Sequence, residues 1–168
     1  MLIVRNMEAE DRAAAAELDR LCFHGADCHP DFVREETKRL ALYDGGRGVG
    51  FVAVEIPEST HLCTMCAPAE PRVVGFATVF FAPEEGQIVN VATHPDFRRQ
   101  GFGRMAVQTL LAEAAQKGLR RVFLEVRESN AAAQHLYQVM GFSPCGVRKN
   151  FYRRPIEHAV LYVAAISV

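Results

Sequence analysis

The stretch Val91–Val107, "VATHPDFRRQGFGRMAV", sets a short apolar strand ahead of Pro95, then a basic pair, then two glycines that open an apolar-periodic segment. This layout predicts a strand, a loop and a helix whose first N–H groups point outward, an arrangement suited to holding a phosphate. Three kinds of protein build such a loop, and the rest of the chain decides between them.

A Walker-type loop needs Lys and then Ser or Thr directly after its second glycine. Gly103 is followed by Arg104 and Met105, which excludes it. A dinucleotide-binding loop is a closer rival, because "GFGRMA" satisfies Gly-x-Gly-x-x-Gly/Ala and Glu125 ends the next strand at about the expected distance. Against it, the eight residues "THPDFRRQ" separate Ala92 from Gly101, and the chain after Glu125 is too short for the further crossovers of a doubly wound sheet. The third kind is an acyl-CoA diphosphate loop. Here the successive N–H groups of Arg99, Gln100, Gly101, Phe102, Gly103 and Arg104 form a concave anion site at a helix N-terminus. Glycines let the backbone approach the phosphates. Arg98, Arg99 and Arg104 add charge, although one or two of them could equally form a solvated edge.

Composition sets the frame. At 168 residues, 49% apolar and 23% charged, the chain reads as one globular domain over residues 1–168, and its net charge of −1 gives no reason to expect nucleic-acid binding. The longest apolar run, "VVGFATVFFA" (Val73–Ala82), is too short to span a bilayer and reads as a buried strand. "MLIVRNMEAEDR" lacks the apolar stretch of a signal peptide, and five cysteines, an odd count, fit reduced thiols in a cytoplasm.

Along the chain, Leu2–Arg5 reads as a strand, and Asn6 or Glu8 opens the helix "EAEDRAAAAELDRLCF". Pro30 starts a second helix, "PDFVREETKRLALY", which Gly45–Gly46 end. "GVGFVAVEI", "RVVGFATVFF" and "QIVNVAT" read as an antiparallel meander, with the segment Pro57–Pro71 joining the first two and Glu84–Gly86 turning into the third. The helix "GRMAVQTLLAEAAQKG" carries Val107, Leu110, Leu111 and Ala114 on one face. In "RRVFLEV", Phe123 and Glu125 share one side, with Val122, Leu124 and Val126 on the other. Ser129 or Asn130 caps "NAAAQHLYQVMG", and "VRKNFYRRPIEHAVLYVAAI" is a hairpin turning near Arg153–Pro155. The order β-α-α-β-β-β-α-β-α-β-β defines an α/β domain around one mostly antiparallel sheet.

"RRQGFG" resembles the Arg/Gln-x-x-Gly-x-Gly/Ala pattern of the GNAT superfamily of N-acetyltransferases, with Arg98, Gly101 and Gly103 in the patterned places. Downstream, "LEVRESNAAAQHLYQVMGF" and "RKNFY" (Arg148–Tyr152) are similar to the corresponding segments of the ribosomal-protein-alanine N-acetyltransferase branch. The resemblance runs from about Ile88 to the end and implies the GNAT acyl-CoA N-acyltransferase fold, an α+β architecture with a mixed, mostly antiparallel sheet flanked by helices. It implies acetyl-CoA as cofactor and a protein N-terminus, such as that of a ribosomal protein, as acceptor. Nucleic acid and membrane are not implied as partners.

Acetyl transfer to an amine requires a neutral amine, a polarised thioester carbonyl, a protonated leaving thiolate and fixed reactants. Glu125 interrupts an apolar strand near its end, where the family carries its glutamate, and is the candidate base, directly or through a water. The alternative is a strand-edge carboxylate in a salt bridge with Arg127 or Arg148. Tyr137, twelve residues later as in the family, is the candidate acid, since a phenol is protonated at neutral pH; a half-buried helix residue is the alternative. Asn130 caps its helix and, by the resemblance, contacts the pantetheine arm. Backbone groups of Val91 or Ala92 pair with that arm and polarise the carbonyl. Tyr152 and Phe151 line the acceptor, or form an ordinary cross-strand aromatic pair. A terminal α-amine, with a pKa near 8, is neutral in roughly one molecule in ten at pH 7, whereas a lysine is neutral in roughly one in several thousand. One carboxylate therefore suits an N-terminus better.

Two family features are missing. The chain has no Trp, and "EHAVLY" places His158 after Glu157 where members carry an acidic residue. Both bear on the acceptor, which leaves a small-amine acetyltransferase or a non-catalytic CoA- or zinc-binding module as alternatives. His61, Cys63 and Cys66, with Cys22, His24, Cys28 and His29, have ligand-like spacing, but one Cys-x-x-Cys without a partner pair reads as an inserted loop, and no metal is expected.

Overall fold

The computed structural model describes residues 2–23, 48–56 and 71–166. Strand β1 (Leu2–Asn6) leads through a 3-10 turn to helix α1 (Arg12–Phe23), then to strands β2 (Gly48–Glu55), β3 (Arg72–Phe81) and β4 (Glu85–Thr93). Helix α2 (Phe102–Gln116), strand β5 (Arg121–Arg127), helix α3 (Ala131–Val139) and the hairpin of β6 (Ser143–Arg153) and β7 (Ile156–Ala165) follow. The seven strands form one sheet in the order β1-β2-β3-β4-β5-β7-β6, antiparallel throughout except for β4 and β5. The expected order therefore holds for the described elements. The helix expected from Pro30 and most of the Cys-containing connection lie outside the described residues.

Alternation along the strands divides the core between two layers. On one face α2 buries Phe102, Val107, Leu110 and Ala114 against Val122, Leu124 and Val126 of β5 and Tyr162 of β7. On the other, Ala15 and Leu18 of α1 pack on Val52, Val54, Phe76 and Ala92. Glu125 thus points to the α1 face, as its place between Leu124 and Val126 requires.

Two local readings shift. Glu8 caps a 3-10 turn, Ala9–Asp11, and α1 itself begins at Arg12. Asp11 accepts two bonds from the Arg5 guanidinium (2.6 and 2.9 Å) and one from the Glu8 N–H (2.8 Å), and these hold its carboxyl below the ordinary carboxylate range. The turn expected at Glu84–Gly86 comes earlier, and Ala82 N–H already bonds the Glu85 carbonyl at 2.8 Å.

Gly75 of β3 faces the Phe102 ring so closely that an added Cβ would lie 2.1 Å from it. Gly75→Ala should therefore lower stability by about 1–3 kcal/mol through overpacking. Thermal unfolding checks this, and adding Phe102→Leu should recover part of the loss.

Candidate active site

Strand β4 carries one residue too many for its partner. Val79 pairs with Ile88 and Thr78 with Asn90, so Val89 is bulged. The bulge bends β4 away from β5, and their parallel pairing stops at Ile88–Leu124 although β4 runs on to Thr93 and β5 to Arg127. A fork opens beyond that pair. His94 N–H bonds the Val74 carbonyl at 2.8 Å, and ladder alternation then turns the backbone of Asn90 and Ala92 to β3. The backbone groups of Val91 and Thr93 face the fork. Of the two residues expected to pair with pantetheine, Val91 turns its backbone groups to the fork and Ala92 turns them to β3.

The glycine loop stands at the end of β4. Arg99 (φ 66°) and Gly101 (φ 83°) take left-handed conformations, and a Cβ added at Gly101 would meet nothing within 4 Å. The first bond of α2 is Met105 N–H to the Gly101 carbonyl (3.1 Å), which leaves the N–H groups of Phe102, Gly103 and Arg104 without an acceptor among the described residues. Open space above unpartnered N–H groups at a helix start fits a diphosphate. The Phe102 side chain fills the core at 1% exposure, so only its N–H can serve the loop. Arg98 Nε donates to the Thr93 carbonyl (3.3 Å) and Gln100 Nε2 to that of Asp96 (3.3 Å), whereas Arg99 and Arg104 are exposed and make no such bond among the described residues.

Glu125 lies at the lip of the fork, 21% exposed. Its Oε2 accepts from Gln87 Nε2 of β4 (2.9 Å), and its Oε1 pairs with Arg148 Nη1 of β6 (3.2 Å). Of the two salt bridges foreseen as alternatives, the one with Arg148 is present. Gln87 was not singled out from the sequence, though a polar residue inside "QIVNVAT" was the available signal.

Tyr137 of α3 is 8% exposed, with its ring edge-on to Phe142 (5.8 Å) and tilted to Tyr162 (6.4 Å). Its hydroxyl donates no hydrogen bond among the described residues. Burial raises the phenol well above its ordinary pKa, so it stays protonated. The Asn130 side chain accepts from Ala133 N–H (3.1 Å) and caps α3.

A second polar group fixes the hairpin to the end of β5. Arg127 bonds Glu157 (2.9 Å), reaches the carbonyls of Arg154 and Pro155, and lies 4.1 Å from the Tyr152 ring centroid. Glu157 also accepts from the Ser129 N–H in the turn before α3. Tyr152 and Phe151 form an edge-on pair at 5.1 Å. His158 Nδ1 accepts from Asn150 N–H (3.1 Å), so the residue that departs from the family pattern supports the irregular middle of β6. Among the described residues no three side chains gather as a metal set, and Cys22 donates to the Thr93 carbonyl at 3.4 Å. His24, Cys28, His29, His61, Cys63 and Cys66 lie outside the described residues.

An open fork between β4 and β5 that leads to a loop fit for a diphosphate, with a carboxylate at its lip, suits acyl transfer from an acyl-CoA. The model of the acetyltransferase (GNAT) family matches residues 12–142. The chain belongs to that family and is an acetyl-CoA-dependent N-acetyltransferase. It is 36% identical over 100 residues to the [ribosomal protein bS18]-alanine N-acetyltransferase of Salmonella typhimurium, covering 60% of this chain and 68% of that one. With the ribosomal-protein-S18-alanine N-acetyltransferase of Escherichia coli, a crystal structure, it shares 28% identity and a TM-score of 0.77 over 100% of this chain and 96% of the other. A putative acetyltransferase from Salmonella typhimurium, solved with its cofactor acetyl-CoA, has the same fold (TM-score 0.78, 19% identity, 100% and 95% covered).

The hydrogen bond from Ser129, then the Arg127 contact, holds the Glu157 carboxyl below its ordinary value. Stability from this group is therefore present above the unfolded carboxylate pKa and is lost as pH falls through the folded value. Glu157→Gln should melt below the wild type at pH 7, and the gap should close as the pH drops below about 4. Melting curves across that range decide it.

Proposed function

We propose that the chain transfers the acetyl group of acetyl-CoA to the α-amine of a protein N-terminus, with an N-terminal alanine of a ribosomal protein as the acceptor. The observation that carries the acceptor class is the 36% identity to an enzyme named for that reaction. Glu125 at the open end of the fork, beside an aromatic hairpin, is consistent with it. Action on a ribosomal protein would place the chain in the cytoplasm.

Acetyl-CoA, when bound, supplies the acetyl group as a thioester. The N–H groups of Arg99–Arg104 would hold its diphosphate, with charge from Arg99 and Arg104. The Val91 backbone would pair with the pantetheine arm and present an N–H to the thioester carbonyl, and Asn130 would meet the arm from the start of α3. Glu125 takes the proton that the amine gives up on attack. Tyr137 would give its hydroxyl proton to the departing sulfur, a role for which a phenol that stays protonated is suited. Phe151 and Tyr152 form the wall on which the first residues of the acceptor lie.

The test is acetyl transfer to a peptide with a free N-terminal alanine against its N-blocked, lysine-containing counterpart. The free terminus should be acetylated and the blocked peptide should not; equal use of both would sink the acceptor assignment. Glu125→Gln should cut turnover by about a hundredfold or more with acetyl-CoA affinity nearly unchanged. Because burial keeps Tyr137 protonated, the wild-type rate should rise with pH as the amine is freed and show no fall from phenol ionisation up to about pH 10.

A further inference from the structure

We propose that Gln87 and Arg148 are positioning residues of this reaction, a two-sided clamp that fixes the Glu125 carboxylate at the lip of the fork. The proposal rests on reading Glu125 as the base. A glutamate has three rotatable bonds, and its hydrogen-bond partners help choose among its rotamers. Glu125 stands where β4 and β5 have parted, with 21% of its side chain exposed.

The two donors reach it from opposite sides. Gln87 belongs to the last part of β4 still paired with β5: it sits opposite Phe123, which shares the face of Glu125 one pleat below. Its amide must present the NH2 group, because an ionised carboxylate only accepts, and it does so at 2.9 Å from Oε2. Arg148 comes from β6, two strands away. In register it stands opposite Ala159 of β7, which in turn stands opposite Arg127, so its side chain crosses β7 where the residue is a fully buried alanine and reaches Oε1 at 3.2 Å. Phe151 steadies it, with the guanidinium carbon 5.6 Å from the ring centroid. Each carboxylate oxygen therefore spends one acceptor site on the clamp and keeps another for the proton of the amine.

Neither donor is needed for the core. Arg148 is 56% exposed, and such ion pairs contribute little to stability. Gln87 is only partly buried, in a strand that is held on both sides by its backbone ladders. Their loss should appear in the rate of the chemical step rather than in folding. A carboxylate free to rotate spends less time in reach of the amine, and a misplaced reacting group is costly.

The experiment is a double-mutant cycle on the full chain, using a peptide with a free N-terminal alanine. Gln87→Met and Arg148→Met should each lower kcat roughly tenfold, the loss expected for one hydrogen bond to a charged group, with acetyl-CoA KM and melting temperature nearly unchanged. Arg148→Lys should retain most of the activity. Combined with Glu125→Gln, neither change should lower the residual rate further, because the group through which they act has gone. Full kcat in both Met variants, or the same fold-loss in the Glu125→Gln background, would overturn the clamp while leaving the base in place. Full activity of Glu125→Gln itself would overturn the base reading, and the clamp with it.

Discussion

The parting of β4 from β5 is the constraint on which the rest of the molecule depends. A single parallel contact, four residues long on each strand, joins the N-terminal meander to the C-terminal strands. One extra residue, Val89, falls where that contact ends, and beyond it the Val91 backbone faces the fork instead of β3. Buried backbone polar groups do not stay unpaired without cost, so an open fork is stable only where solvent or a ligand completes the ladder. A pantetheine arm, with its own amides, can act as the missing strand. The helix that begins at Phe102 would then meet the far end of the same ligand with its dipole and with N–H groups that have no acceptor among the described residues.

The chemistry stands on the two sides of this opening. Glu125 lies on the α1 face and Tyr137 comes from a helix on the α2 face, so under the proposed mechanism the two would approach one reacting centre through the gap. The β6–β7 hairpin ties the sides together. Glu157 and Arg127, nearly buried at 13% and 11% exposure, join the start of β7 to the end of β5 and to the turn that caps α3. Arg148 runs from the same hairpin to Glu125. Of these pairs, the less exposed one is more closely tied to the fold, because Glu157 also accepts from the Ser129 N–H in the turn before α3. The exposed pair with Arg148 adds little to stability.

Much of this was legible in the residues. The strict alternation of "RVFLEV" placed Glu125 on the face opposite Val122, Leu124 and Val126, and "GFG" after a basic pair marked the loop that opens α2. Asn130 was readable as a cap because only its side chain type and the alanine run behind it were needed. What was not legible depends on pairing between distant strands. Nothing in "QIVNVAT" marks Val89 as bulged, since the extra residue is an ordinary β-former. For that reason the choice between the Val91 and Ala92 backbones could not be made from sequence. Phe102 illustrates the opposite problem: its place between two glycines suggests ligand contact, yet Gly75 leaves a hole across the sheet that its ring fills. Arg148 was one of two foreseen partners for Glu125, and only the register across Ala159 selects it.

The central claim is that the fork and the glycine loop together are the acetyl-CoA site. Amide hydrogen exchange with and without acetyl-CoA tests it most directly. The account predicts slowed exchange at Val91 and Thr93 and across Arg99–Arg104, with β1 and β2 unaffected. Unchanged exchange in both segments while acetyl-CoA is bound, or protection confined to other elements, would contradict it.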